Sequence, residues 1–228
     1  MLAPVPQPLT IPVTEGVTVS ALLCRPRDAA ACYVLAHGAG AGMKHAFLAS
    51  VSNGLAARRI ATLRYQFPYM ERGSKRPDPP PLAHATVRAA IALAFDQMPE
   101  LPLFAGGKSF GGRMTSQAQA IAPLPQVRGL VFLGFPLHPA KKPSLERAAH
   151  LTQVECPMLF LQGTRDELAD VELIRLVTEE LGERTTLHLF ADADHSFHVR
   201  ARSGQTDQQV LDAMLDVISG WSATLISS

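Results

Sequence analysis

Residues 107–111 read Gly107-Lys108-Ser109-Phe110-Gly111, the spacing G-x-S-x-G, between a short apolar run and a segment with helical spacing. A serine in that setting sits on a very tight strand-to-helix turn, in a strained backbone conformation, with its hydroxyl lifted clear of the sheet. Side chains two positions to either side would collide with the neighbouring strand and helix, so glycine suits both. The turn also puts the Phe110 amide at a helix N-terminus, where backbone donors are free and the dipole favours negative charge. Position 109 is therefore a candidate nucleophile beside a candidate anion site. A hydroxyl needs a base, and His195 follows the last apolar run in Asp192-Ala193-Asp194-His195-Ser196-Phe197. An acid must orient that imidazole and stabilise its charged form. Asp166, in Gly163-Thr164-Arg165-Asp166, is preferred because it gives the chain order Ser, Asp, His. Glu167 and Asp170 compete for the role, whereas Asp192 and Asp194 suit the turn around His195. A second oxyanion donor is expected from the small-residue loop after His37-Gly38, with the Ala39 amide first and Gly40 second.

These residues need elements to bring them together. Leu9–Val13 and Val17–Cys24 read as two strands around a turn at Glu15-Gly16. Further strands are expected at 32–36, 60–65, 103–105, 130–135, 158–162 and 185–190. Helices are expected at 46–59, 83–98, 110–121, 168–181 and 205–226, with a short helical piece near 145–150. The last helix carries Val210, Met214, Val217, Ile218 and Trp221 on one stripe. This alternation implies an α/β fold with a mostly parallel central sheet, helices on both faces and an antiparallel N-terminal strand pair. The chemistry of such a fold lies beyond the carboxyl ends of its strands. Residues 66–82, with five prolines, read as an exposed loop at that edge, where Phe67, Tyr69 and Met70 either form an apolar substrate wall or simply pin the loop to the domain. Lys108 and His138 are further candidates to line the site. Lys44, Arg72, Lys75, Arg76, Lys141, Lys142 and Arg165 would make its rim cationic. That rim either attracts an anionic ester or thioester or is ordinary solvated charge.

Two other glycine-rich signals fail. Gly38-Ala39-Gly40-Ala41-Gly42 lacks the third glycine of a dinucleotide fingerprint, having Met43 there, and no acid occurs between Ala29 and Met70 to hold a ribose. Gly107-Lys108-Ser109 lacks the glycine of a phosphate-binding loop, having Pro102 in its place. Asp192, Asp194, His195 and His198 form a compact ligand-like cluster, the rival reading as a metal site.

At 228 residues, with 47% hydrophobic and 18% charged residues, the chain reads as a single domain, 1–228, with a packed core. A net charge of +1 gives no pull toward nucleic acid. No membrane-spanning run or secretory signal is expected. Three scattered cysteines, Cys24, Cys32 and Cys156, point to small buried hydrophobes and a cytoplasmic location.

Taken together, His37-Gly38-Ala39-Gly40, Gly107 to Gly112, Gly163 to Asp166 and Asp194 to Phe197 resemble the α/β-hydrolases over nearly the whole chain. Arg64 to Met70 and Gly134 to Pro139 are similar to segments of the small, lid-poor bacterial group related to dienelactone hydrolase. That enzyme has a cysteine nucleophile where this sequence has Ser109. The resemblance implies an α/β-hydrolase fold with no large cap domain, since only about 20 residues, Pro136 to Pro157, span the usual lid position. It further implies hydrolysis of a small-molecule ester or thioester without metal or cofactor. A peptidase or a non-catalytic binding module on the same fold is the alternative. Acyl and leaving groups and oligomeric state are left open.

Overall fold

The computed structural model describes residues 4–227. Eight strands form one sheet: β1 Gln7–Thr14, β2 Val17–Cys24, β3 Ala31–Ala36, β4 Ile60–Tyr65, β5 Leu103–Lys108, β6 Val127–Leu133, β7 Met158–Gly163 and β8 Thr185–Phe190. Their order is β1-β2-β4-β3-β5-β6-β7-β8. β1 and β2 pair antiparallel, β2 joins β4 antiparallel, and all later pairings are parallel. The helices are α1 Ala46–Ala56, α2 Pro68–Glu71, α3 Pro80–Gln97, α4 Phe110–Ile121, α5 Val171–Leu181 and α6 Asp207–Ser227, with a 3-10 turn at Glu146–Gln153.

The inner strands are buried on both faces, and their period-2 alternation sorts side chains into two cores. Cys32, Val34 and Ala36 of β3 pack with α3, α4 and α5, while Tyr33 and Leu35 pack with α1 and α6. In α6, Val210, Met214, Leu215 and Ile218 are buried, with Val217 and Trp221 packed beside them. By length and composition α6 could cross a membrane, yet this stripe lies against the sheet.

Two expectations need correction. β6 ends at Leu133, not 135, because Gly134 turns the chain at φ 70° while its amide bonds the Leu161 carbonyl at 2.8 Å. Residues 66–82 are not simply an exposed loop: Pro68 and Tyr69 are buried in α2, and α3 already begins at Pro80. Proline suits that first turn, where no intrahelical donor is needed. The short 136–157 connection adds no cap, as expected; its 3-10 turn buries Ala148 and Leu151 in the core beside α4.

The carboxyl end of β5 is the most crowded point. A Cβ on Gly107 would lie 2.2 Å from the Ala36 carbonyl oxygen, and one on Gly111 would lie 2.6 Å from both the Ala36 Cβ and the His37 carbonyl. Gly107 also has φ 150°. Gly107→Ala should therefore destabilise the protein by about 3 kcal/mol or more, since strand backbone rather than a flexible side chain must yield. Denaturant unfolding checks this; an unchanged midpoint would mean that β3 and β5 part without cost.

Candidate active site

Ser109 occupies the junction between β5 and α4 with φ 50° and ψ −115°. A non-glycine residue pays for that conformation, and the packing around Gly107 and Gly111 holds it there. His195 reaches the junction from the loop after β8. Its Nε2 lies 2.9 Å from Ser109 Oγ, and its Nδ1 lies 2.7 Å from Asp166 Oδ2. The residues nominated as nucleophile, base and acid thus form one hydrogen-bonded chain. With a carboxylate at Nδ1, that nitrogen carries the proton, which leaves Nε2 free to accept one from the serine.

The carboxylate is buried and fully engaged. Asp166 Oδ2 also accepts from Gln162 Nε2, and Oδ1 accepts from the Leu168 amide at 2.8 Å. Gln162 in turn accepts the Phe135 amide at 2.9 Å. Sequence reading missed Gln162, whose one signal is a polar residue inside the apolar run of β7. Of the competing acids, Glu167 is exposed, and Asp170 and Asp194 have other partners. Asp170 caps α5 by accepting the Glu172 and Leu173 amides. Asp194 accepts the Ser196 and His198 amides, as a turn residue does. His198 bonds Asp207 at 2.7 Å. The residues of the rival metal cluster thus face separate partners.

Neither the Phe110 nor the Ala39 amide has a partner among the described residues. The Gly40 amide instead donates to the Tyr69 hydroxyl at 3.2 Å, so it is not free as the second-choice donor. The loop carrying Ala39 is braced from the β4 end. Gln66 Oε1 accepts the Met43 amide at 2.8 Å, and Arg64 donates to the Met43 carbonyl at 3.2 Å. His37 Nε2 accepts the Phe67 amide at 3.1 Å. Since an amide can only donate, the His37 proton is on Nδ1, which donates to the Gly38 carbonyl at 2.7 Å.

The expected substrate wall needs revision. Phe67 and Tyr69 are buried, with Phe67 edge-on to Phe110 and to His37, and they brace the loop that carries Ala39 from below. Met70 lines a separate hollow of about 380 Å³ with Gln66, Met43 and Lys44. His138 is buried, its Nε2 accepting the Asp170 amide at 2.9 Å. Lys108 does border the site, but its Nζ donates to the His195 carbonyl at 2.6 Å. The cavity that opens onto Ser109 and His195 measures about 650 Å³, and Ala39, Phe47, Leu48, Leu168, Phe197 and Leu211 supply its apolar wall. Sequence reading did not find α1 and α6 as wall elements. His45, His198 and Asp207 supply polar groups to the same lining. The expected cationic rim is partly internal, with Arg72 paired to Asp78 and Arg165 bonded to the Asp192 carbonyl.

A family model described as an alpha/beta hydrolase domain matches residues 29–223. Among solved structures, the chain is similar to a dienelactone hydrolase from Anabaena variabilis at 20% identity, covering 96% of this chain and 97% of that one, with a TM-score of 0.74. It is similar to an α/β serine hydrolase without a lid from Xanthomonas campestris at 21% identity, 97% coverage of each chain and a TM-score of 0.72. The esterase domain of a Rhodothermus marinus protein matches at 18% identity, covering 96% of this chain and 98% of that one, with a TM-score of 0.72.

Burial lowers the pKa of His37 from 6.5 to about 4, against the raising effect of its bond to the Gly38 carbonyl. The unfolded chain takes up this proton below about pH 6.5 and the folded chain only near pH 4. The neutral ring's contribution to stability is thus complete above pH 6.5 and lost as pH falls toward 4. Its size is on the order of 3 kcal/mol. Urea unfolding between pH 7 and 4 should show that slope, flattened in His37→Gln; equal slopes in the two proteins would contradict a buried neutral ring.

Proposed function

The chain belongs to the alpha/beta hydrolase family, and from that premise we propose that it is a serine hydrolase acting on a small-molecule carboxylic ester or thioester. The observation that carries this reading is the continuous chain Ser109 Oγ–His195–Asp166, next to two unpaired main-chain amides. Ser109 Oγ attacks the carbonyl carbon while His195 Nε2 takes its proton. Asp166 holds the ring and stabilises the imidazolium without itself taking a proton. The amides of Phe110 and Ala39 receive the charge that develops on the carbonyl oxygen. His195 then gives its proton to the departing alcohol or thiol as the acyl–oxygen or acyl–sulfur bond breaks. Water, deprotonated by the same imidazole, attacks the acyl-enzyme, releasing the acid and restoring the Ser109 hydroxyl.

Several observations support a compact, uncharged acyl or leaving group. The cavity beside Ser109 is of a size that takes a small molecule, and Phe47, Phe197, Leu48 and Leu211 give it an apolar wall. The Phe47 and Phe197 rings stack at 5.9 Å with only 3° between their planes, which makes a flat surface. The buried, unpaired thiols of Cys24 and Cys32 are in keeping with a reducing, cytoplasmic setting.

A fluorophosphonate probe and a panel of activated esters and thioesters test the proposal. The wild-type protein should be labelled and should turn over at least one short ester. Ser109→Ala should lose both, with unfolding unchanged. Labelling that survives in Ser109→Ala, or a wild-type protein inert to probe and panel alike, would overturn it. Asp166→Asn should cut kcat by about 10⁴-fold, because an amide at that position favours the wrong imidazole tautomer. A loss under tenfold would remove Asp166 from its role.

A further inference from the structure

Lys108 immediately precedes Ser109 and borders the same cavity, yet its terminal ammonium is engaged by the protein itself. The side chain crosses to the loop after β8, where Nζ donates to the main-chain carbonyl of His195 at 2.6 Å. The same Nζ lies 5.7 Å from the centre of the Phe197 ring and would be 3.1 Å from a Cβ on Gly134. The ammonium is thus enclosed by the β5, β6 and β8 ends.

The loop it grips is a strained one. Asp192 and Phe197 both have left-handed backbones, at φ 57° and 65°, conformations that persist only when neighbours over-determine them. Among the described residues, two hydrogen bonds join the 107–111 turn to the 190–199 loop: the imidazole to Ser109 and the His195 carbonyl to Lys108. The first is remade in every catalytic cycle, whereas the second does not involve the reacting atoms. We infer that Lys108 is a positioning residue, an intramolecular latch that holds the His195 backbone so that the imidazole stays in reach of Ser109.

The electrostatics favour such a latch. A carbonyl accepting from an ammonium makes a charge-assisted bond, roughly twice as strong as a neutral one. Burial draws the Lys108 pKa down to about 8, opposed by the carboxylates of Asp166, on the loop after β7, and Asp194, on the loop after β8. Both hold the proton on, so the bond is charged at neutral pH.

The inference rests on the serine-hydrolase reading for its kinetic consequence but not for its structural one, so the test has two arms. In the first, Lys108→Met is compared with wild type by NMR of the His195 ring, assigned with His195→Gln. Release of the latch should broaden or shift the ring signals, and signals identical to wild type would overturn the inference whether or not the protein hydrolyses esters. In the second, kcat of Lys108→Met should fall about tenfold to a hundredfold, the range expected for a misplaced group, with KM nearly unchanged. Loss of ester turnover in the wild type would count against the hydrolase reading alone and leave the ring signals to decide the latch. Lys108→Cys alkylated with bromoethylamine rebuilds an ammonium of nearly the same reach. It should recover most of kcat and the wild-type ring signals, with wild type carried through the same alkylation as the control. Failure to recover either in a protein that still unfolds cooperatively would also overturn the latch, since a purely steric role for the stem is met by methionine.

Discussion

Close packing at the carboxyl end of β5 fixes where everything else must come. β3, β5 and α4 approach so tightly around Gly107 and Gly111 that no Cβ fits at either position. The chain has one way to pass from strand to helix there, through a serine held at positive φ. Strain of this kind costs on the order of 1–3 kcal/mol and survives only if relaxation would cost more. Here relaxation would mean separating β3 from β5, with the loss of ladder bonds and of the apolar contacts on both faces. The direction of the Ser109 hydroxyl is therefore a property of the sheet. His195 and Asp166 have to be delivered to it by loops after β8 and β7, three and two strands away in the sheet order.

That delivery uses buried polar groups in place of apolar anchors. The loop that carries Ala39 consists of small residues and has almost no side chain with which to hold itself. Its amides and carbonyls are gripped from outside by Arg64 and Gln66 at the end of β4 and by Tyr69 in α2, with His37 fastening the Gly38 carbonyl to Phe67. Gln162 does the same for the acid, tying Asp166 to the backbone after β6. A buried polar group is costly unless it is paired, so each such bond favours one loop geometry over its neighbours. The Gly40 amide, engaged by Tyr69, illustrates the result: of two adjacent small residues, one amide braces the loop and the other is left open.

Which of these facts could be read from the chain follows from the range of the interaction. Short-range rules located Ser109, His195 and Asp166, because turn geometry, chain order and strand ends all leave local marks. They also placed nearly every strand. They could not decide between wall and anchor for Phe67 and Tyr69, whose proline-rich context suggested an exposed loop while the two rings are buried beneath the loop that carries Ala39. Nothing local distinguishes an aromatic ring that lines a cavity from one that supports its floor; the packing of α2 on the sheet decides it. The same holds for the cavity wall. Phe47 and Leu211 lie on helices 164 residues apart, and only the stacking of α1 beside α6 brings them to one surface.

Charge shows the same dependence on long-range partners. The sequence places many lysines and arginines on loops at the functional edge, which suggests a positive field over the site. In the folded chain, Arg72 meets Asp78, Arg165 bonds a carbonyl of the β8 loop, and Lys108 bonds the carbonyl of His195. These three cations organise loops, with Arg72 directed at a carboxylate and Arg165 and Lys108 at main-chain carbonyls. The groups beside Ser109 are two main-chain amides, one of them at the start of α4, and the His195 imidazole backed by a buried carboxylate. Such a set stabilises charge that appears only during the reaction.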